Sequence, residues 1–105
     1  MSQKPKRERT LRREAARQAE QLGRDRERLF LREPGGSPGR PVEVDSPAVV
    51  ELRARAVPCP RCNGEHAVDE HRAVIHAGVR LREVRLKCRS CGTERSMWFR
   101  LPVLN

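Results

Sequence analysis

Large apolar side chains are scarce in this 105-residue chain. Tyrosine is absent, and the aromatics are Phe30, Trp98 and Phe99 alone. No apolar run approaches the roughly 18 residues of a membrane-spanning helix. The opening residues, Met1 to Arg7, hold no apolar stretch that could act as a secretory signal. These absences predict a non-membrane protein of the cytoplasm, or of the nucleus in a cell that has one. They also predict a small domain whose core needs a staple, and a bound metal is a common one below about 70–80 residues. No Ser/His/Asp set and no phosphate-binding loop is present, so an enzyme is not expected.

Cysteine is equally sparse, but its placement is informative. The four cysteines form two Cys-x-x-Cys pairs, Cys59/Cys62 and Cys88/Cys91, and glycine follows closely in Asn63-Gly64 and Gly92. A two-residue gap lets both sulfurs of a pair turn onto one ion, and two such pairs at this separation predict one tetrahedral four-thiolate Zn²⁺ site. Four protein ligands leave no open position, so the expected role is structural. The glycines suit tight turns that need a positive φ. A thioredoxin-like redox pair fits less well, because each pair is flanked by strand-like sequence and there are two of them. Disulfides fit a secreted chain. His66, His71 and His76 do not fall at finger spacing, where about 12 residues separate the second Cys from the first His. With four cysteines present they are expected at the surface.

Basic residues dominate the charge. Lys and Arg number 23 against 14 acidic residues, a net charge of +9 with a pI near 10.9. Polyanions are the first partners this implies. The arginine excess, with lysine only at positions 4, 6 and 87, is also what a GC-rich coding sequence produces, and scattered solvated charges are the competing account.

Three segments follow from composition. Residues 1–33 carry 11 basic and six acidic residues, and from Thr10 to Arg32 the residue types favour a charged, solvent-exposed helix with Gly23 against it. Residues 34–47, with four prolines and three glycines, read as a linker that leaves its neighbours independent. Residues 48–105 read as antiparallel β. Alternation over Ala48–Val57 predicts a first strand leading into Cys59. Further strands are expected over Glu65–Ile75, Val79–Lys87 and Glu94–Leu101, with a hairpin turn at His76-Ala77-Gly78. The apolar phase changes between Val79/Leu81 and Val84/Leu86, which a bulge near Arg82-Glu83 would reconcile. The fold class expected is a small α+β protein: a zinc-bound antiparallel ribbon of three or four strands behind a charged N-terminal helix.

The knuckles Cys59-Pro-Arg-Cys62-Asn-Gly and Cys88-Arg-Ser-Cys91-Gly, joined by a hairpin, resemble the zinc ribbon superfamily over residues 57–101. A basic tail ahead of a Cys-Pro-x-Cys ribbon is loosely similar to small transcription elongation factors. The ribbon of transcript-cleavage factors carries Asp-Glu at its tip. Here Asp69-Glu70 lies on the ascending strand and is expected to be solvated. The resemblance implies association with nucleic acid or with a protein of the transcription or translation machinery. The contact residues expected are Arg80, Arg82, Arg85, Lys87, Arg89, Trp98 and Arg100. Trp98 either stacks on a base or packs against the rest of the fold. The alternative is a structural zinc module that mediates protein–protein interaction, for instance through an exposed sheet edge.

Overall fold

The computed structural model describes residues 7–102. The basic positions Lys4 and Lys6 lie outside them. The fold is small α+β, with one long helix, α1 (Glu8–Arg32), and a four-stranded mixed sheet in the order β1-β4-β3-β2. No helix among the described residues is long and apolar enough to cross a membrane.

Three strands form an antiparallel meander: β2 (His66–His76), β3 (Val79–Cys88) and β4 (Glu94–Arg100). The β2–β3 hairpin closes through Ala77 and Gly78, whose φ values of 49° and 79° are both positive. That two-residue turn matches the right-handed twist of the strands but suits Asn-Gly better than Ala-Gly. Ala77→Asn is therefore expected to raise the denaturant stability of the protein by about 0.5–1 kcal/mol, since a β-carbon in the left-handed region is costly; an unchanged midpoint would refute this.

The phase change in β3 has a different origin from the expected bulge. β3 pairs with β4 without interruption from Arg82 to Lys87, and the irregularity lies in β2, where the register shifts between Val68 and Glu70. Asp69 is the extra residue and is exposed. Each half of β3 instead buries a different face. Leu81 and Glu83 are buried on one side, and Val84, Leu86 and Cys88 on the other.

Residues Ala48–Val57 are not a strand. Pro47–Val49 forms a 3₁₀ turn and Val50–Ala56 a short helix, α2. The Ser46 hydroxyl accepts a hydrogen bond from the Ala48 N–H at 3.2 Å, with Pro47 at the first helical position. Both choices suit a helix start. Val50 and Ala54, four residues apart, are fully buried in the core, while Leu52 is exposed. The core joins them to Phe30 of α1, Val44, Val84 and Leu86 of β3, and Met97 and Phe99 of β4.

The Pro/Gly segment is likewise integrated into the fold and does not act as a free linker. It breaks α1, whose capping N–H at Glu33 bonds to the Phe30 carbonyl. It then turns back along β4, and Val42–Glu43 (β1) pairs in parallel with Phe99 and Arg100. The sheet is therefore mixed, not purely antiparallel. Gly35 has φ 87°, and its carbonyl accepts the Trp98 N–H at 2.9 Å. A β-carbon there would lie 2.9 Å from Val42 Cγ2 and 3.1 Å from Met97 Cε, so glycine is needed for the chain to pass so close to the sheet. Phe30 is buried in the shared core. α1 and the ribbon are thus packed together through the residues that composition marks as flexible.

Candidate metal centre

The two knuckles are built alike. In the first, the Asn63 N–H donates to the Cys59 carbonyl at 2.7 Å and the Cys59 N–H to the Gly64 carbonyl at 2.9 Å. In the second, the Gly92 N–H donates to the Cys88 carbonyl at 3.0 Å and the Cys88 N–H to the Thr93 carbonyl at 2.9 Å. The residue after each second cysteine has positive φ, 63° at Asn63 and 76° at Gly92. In the first knuckle Asn63 takes that conformation, and Gly64 has another use. A β-carbon on Gly64 would lie 2.6 Å from Ser90 Oγ and 3.0 Å from Cys88 Sγ. Its missing side chain lets the two knuckles close on each other.

That closure brings Cys59, Cys62, Cys88 and Cys91 together, with all four sulfurs within 4.8 Å of one another. The Cys59–Cys91 and Cys62–Cys88 sulfurs are 3.7 and 3.4 Å apart. A tetrahedron with metal–sulfur bonds of about 2.3 Å has sulfur–sulfur edges of about 3.8 Å, so the spacing fits one ion. A disulfide needs about 2.05 Å, and all four cysteines are free.

The electrostatics point the same way. Four thiolates this close repel without a cation. In the protein alone, hydrogen bonding with Cys88 pushes the Cys62 thiol up to about 12. The Thr93 hydroxyl and N–H bring Cys91 down to about 6. A metal ion binding here would have to displace the Cys62 proton, whereas Cys91 gives its proton up more readily.

One arrangement around the cluster has no signature in the sequence. Arg95, three residues before Trp98, points into the core and is buried. It holds Glu27 of α1 in a two-pronged ion pair, Nε–Oε1 3.0 Å and Nη2–Oε2 2.9 Å. Its guanidinium lies 5.9 Å from the centre of the Phe30 ring. It also donates to His66 Nε2. Arginine can only donate, so His66 Nε2 must accept, which leaves the proton on Nδ1 to donate to the Val57 carbonyl at 2.8 Å. Burial lowers the His66 pKa, in keeping with that neutral ring. Burial opposes the charge of Arg95, but Glu27 and then Cys59 outweigh it and keep the guanidinium protonated. His66, expected at the surface, is thus part of the frame behind Cys59. Long-range pairing of this kind leaves no mark on local spacing.

Arg61, between the cysteines of the first knuckle, makes a second contact with α1. Its Nη1 lies 3.8 Å from Glu20 Oε1. The β-carbon that Gly23 lacks would lie 3.8 Å from Arg61 Cγ. Gly23, unfavourable for helix propensity, is where α1 meets the knuckle.

The expected contact residues do not form one surface. Arg85, Lys87, Trp98 and Arg100 share the sheet face opposite Val84, Met97 and Phe99, whereas Arg80 and Arg82 share the Val84 face. Arg89 is exposed in the second knuckle. Trp98 is half-buried and directly opposite Glu83. Ion pairing discounts this set: Arg85 sits 3.5 Å from Glu94, and Arg72 on the same face binds Glu83 at 2.9 Å. No protein-family model, curated protein or solved structure matches the chain. Fold and cluster together define a small α+β protein with four cysteines positioned to hold a metal ion.

Proposed function

We propose that the chain is a non-enzymatic zinc-ribbon module that associates with nucleic acid, using α1 as its main contact element. The donor set supports zinc, because four thiolates at tetrahedral spacing suit this ion and leave no position for substrate. The observation that carries the nucleic-acid reading is the exposed first half of α1. Helix docking is confined to the second half, around Gly23, Glu27 and Phe30. From Arg7 to Ala19 every residue is exposed except half-buried Glu14. This stretch carries Arg7, Arg9, Arg12, Arg13 and Arg17 against Glu8 and Glu14. The molecule spans 75 Å in its longest dimension and 24 Å in the next, so α1, about 37 Å long, can lie along a polyanion that the ribbon does not reach. Phosphate contacts of this kind give affinity without reading sequence.

The test is a salt titration. Arg9, Arg13 and Arg17 follow at four-residue steps and present one side of the helix. The triple Arg→Gln variant is expected to bind labelled duplex DNA and RNA more weakly, with zinc content unchanged. The log–log salt slope should become shallower by up to about 3, near 0.9 for each phosphate no longer neutralised. Unchanged affinity and slope would move the function to protein contact alone.

A further inference from the structure

β4 leaves its partner early. Its last pairing with β3 is Phe99 with Arg82, yet the β2–β3 hairpin continues through Val74–Leu81, Ile75–Arg80 and His76–Val79. Along Val79–Leu81 the β3 edge therefore has no strand beside it among the described residues. The chain leaving β4 passes this notch through Leu101 and Pro102, and proline has no N–H to offer the open edge. A groove of about 1120 Å³ fills the notch, at the end of the sheet away from the cysteines.

Its walls combine two chemistries. Val74, Ile75, Val79 and Leu101 supply apolar surface, and Ile75 is 73% exposed. Arg80, Arg82 and Arg100 stand around them, and no acidic residue among the described residues lines the groove. Unlike Arg72 and Arg85, these three arginines have no ion-pair partner among the described residues. Aromatics are absent from the lining, so a nucleic-acid base would find no stacking platform there.

From this charge complementarity and the open strand edge we infer that the notch receives an extended peptide segment in which acidic and aliphatic residues alternate. The peptide backbone continues the sheet along Val79–Leu81. Its carboxylates meet Arg80 and Arg82 on one face of the sheet, and its aliphatic side chains cover Val74 and Val79 on the other, the face that Arg100 borders. Backbone pairing supplies affinity and the alternating side chains supply selectivity, as in other strand-addition modes. This surface is separate from the exposed half of α1.

The experiment uses the full zinc-loaded chain and a labelled eight-residue peptide of alternating aspartate and leucine, followed by fluorescence anisotropy. Arg80→Glu with Arg82→Glu is expected to weaken binding at least tenfold, and Val79→Ser about threefold. Arg53→Glu with Arg55→Glu, on the outer side of α2, should leave it unchanged. Peptides with lysine in place of aspartate, or serine in place of leucine, should bind at least tenfold more weakly. Undiminished binding by the Arg80/Arg82 variant, or equal binding of the serine peptide, would overturn the inference. So would displacement of the peptide by oligothymidylate, which would assign the groove to nucleic acid.

Discussion

With zinc held as proposed, stripping it from the reduced protein is expected to unfold the ribbon and melt most of α1 with it. Composition alone predicts the opposite, a helix insulated by a Pro/Gly linker. Glu27 and Phe30 lean on Arg95, which lies behind Cys59, and Glu20 and Gly23 meet Arg61 inside the first knuckle. One docking contact thus ends inside the first knuckle, at Arg61, and another on Arg95, which lies close enough to Cys59 to feel its charge. Zinc binding in finger-like peptides contributes about 10–16 kcal/mol, comparable with or larger than the whole stability of a small domain, about 5–15 kcal/mol. Most helical stability in a protein comes from tertiary packing, and no described residue of the first half of α1 belongs to the core. A chelator titration followed by circular dichroism should show strand and helix signals lost together, with the helical signal at least halved. Cys88→Ser should reproduce that state without chelator. Retention of the full helical signal would show that α1 folds on its own.

The parts of this fold that are legible in the sequence have local causes. The three meander strands fall within a residue or two of the expected runs, because alternation, an Ala-Gly turn and the knuckles bracket each one. The metal site is legible for the same reason: its ligands come as close pairs along the chain. The short helix α2 hides behind a strand-like pattern, since Val50, Leu52, Ala54 and Ala56 also fit a two-residue period. Ser46-Pro47 and the four-residue step from Val50 to Ala54 are the signal that marks it. The Pro/Gly segment is ambiguous for another reason. Glycine permits both a flexible chain and a closely packed one, and only the presence of Met97 and Val42 against Gly35 decides between them. The free cation set is smaller than composition implies, because the carboxylates that neutralise part of it come from neighbouring strands or from further along the chain.

This distinction matters for α1. Its exposed arginines suit a polyanion, yet its placement includes a contact with the first cysteine knuckle, Arg61 to Glu20. A helix fixed at one end presents its charges in a constant direction relative to the ribbon, which a tethered tail cannot do. Loss of the metal would release that orientation as well as the fold, so nucleic-acid affinity and metal content are expected to fall together.

Arg95→Leu is expected to be the most damaging change outside the cysteines. Removing one partner of a buried ion pair costs about 3–5 kcal/mol, because the other charge is left uncompensated. Glu27 is 22% exposed and Arg95 4%, so water can partly rescue the orphaned carboxylate, and the lower end, about 3 kcal/mol, applies. His66 loses the donor to its Nε2 at the same time, and the Cys59 sulfur loses a neighbouring cation. Partners around metal ligands are typically worth about 10–100-fold in metal affinity, so a competing chelator should extract zinc about tenfold more readily. Arg95→Lys should recover only part of the loss, since an ammonium cannot span both carboxylate oxygens of Glu27. The decisive comparison pairs Arg95→Leu with Glu27→Leu. If the cost is an unpaired charge, the double variant will be more stable than Arg95→Leu alone, because the new leucines sit beside Phe30 and no buried carboxylate remains. Additive losses would instead mean that Arg95 acts through His66 and the first knuckle, with α1 a passive neighbour.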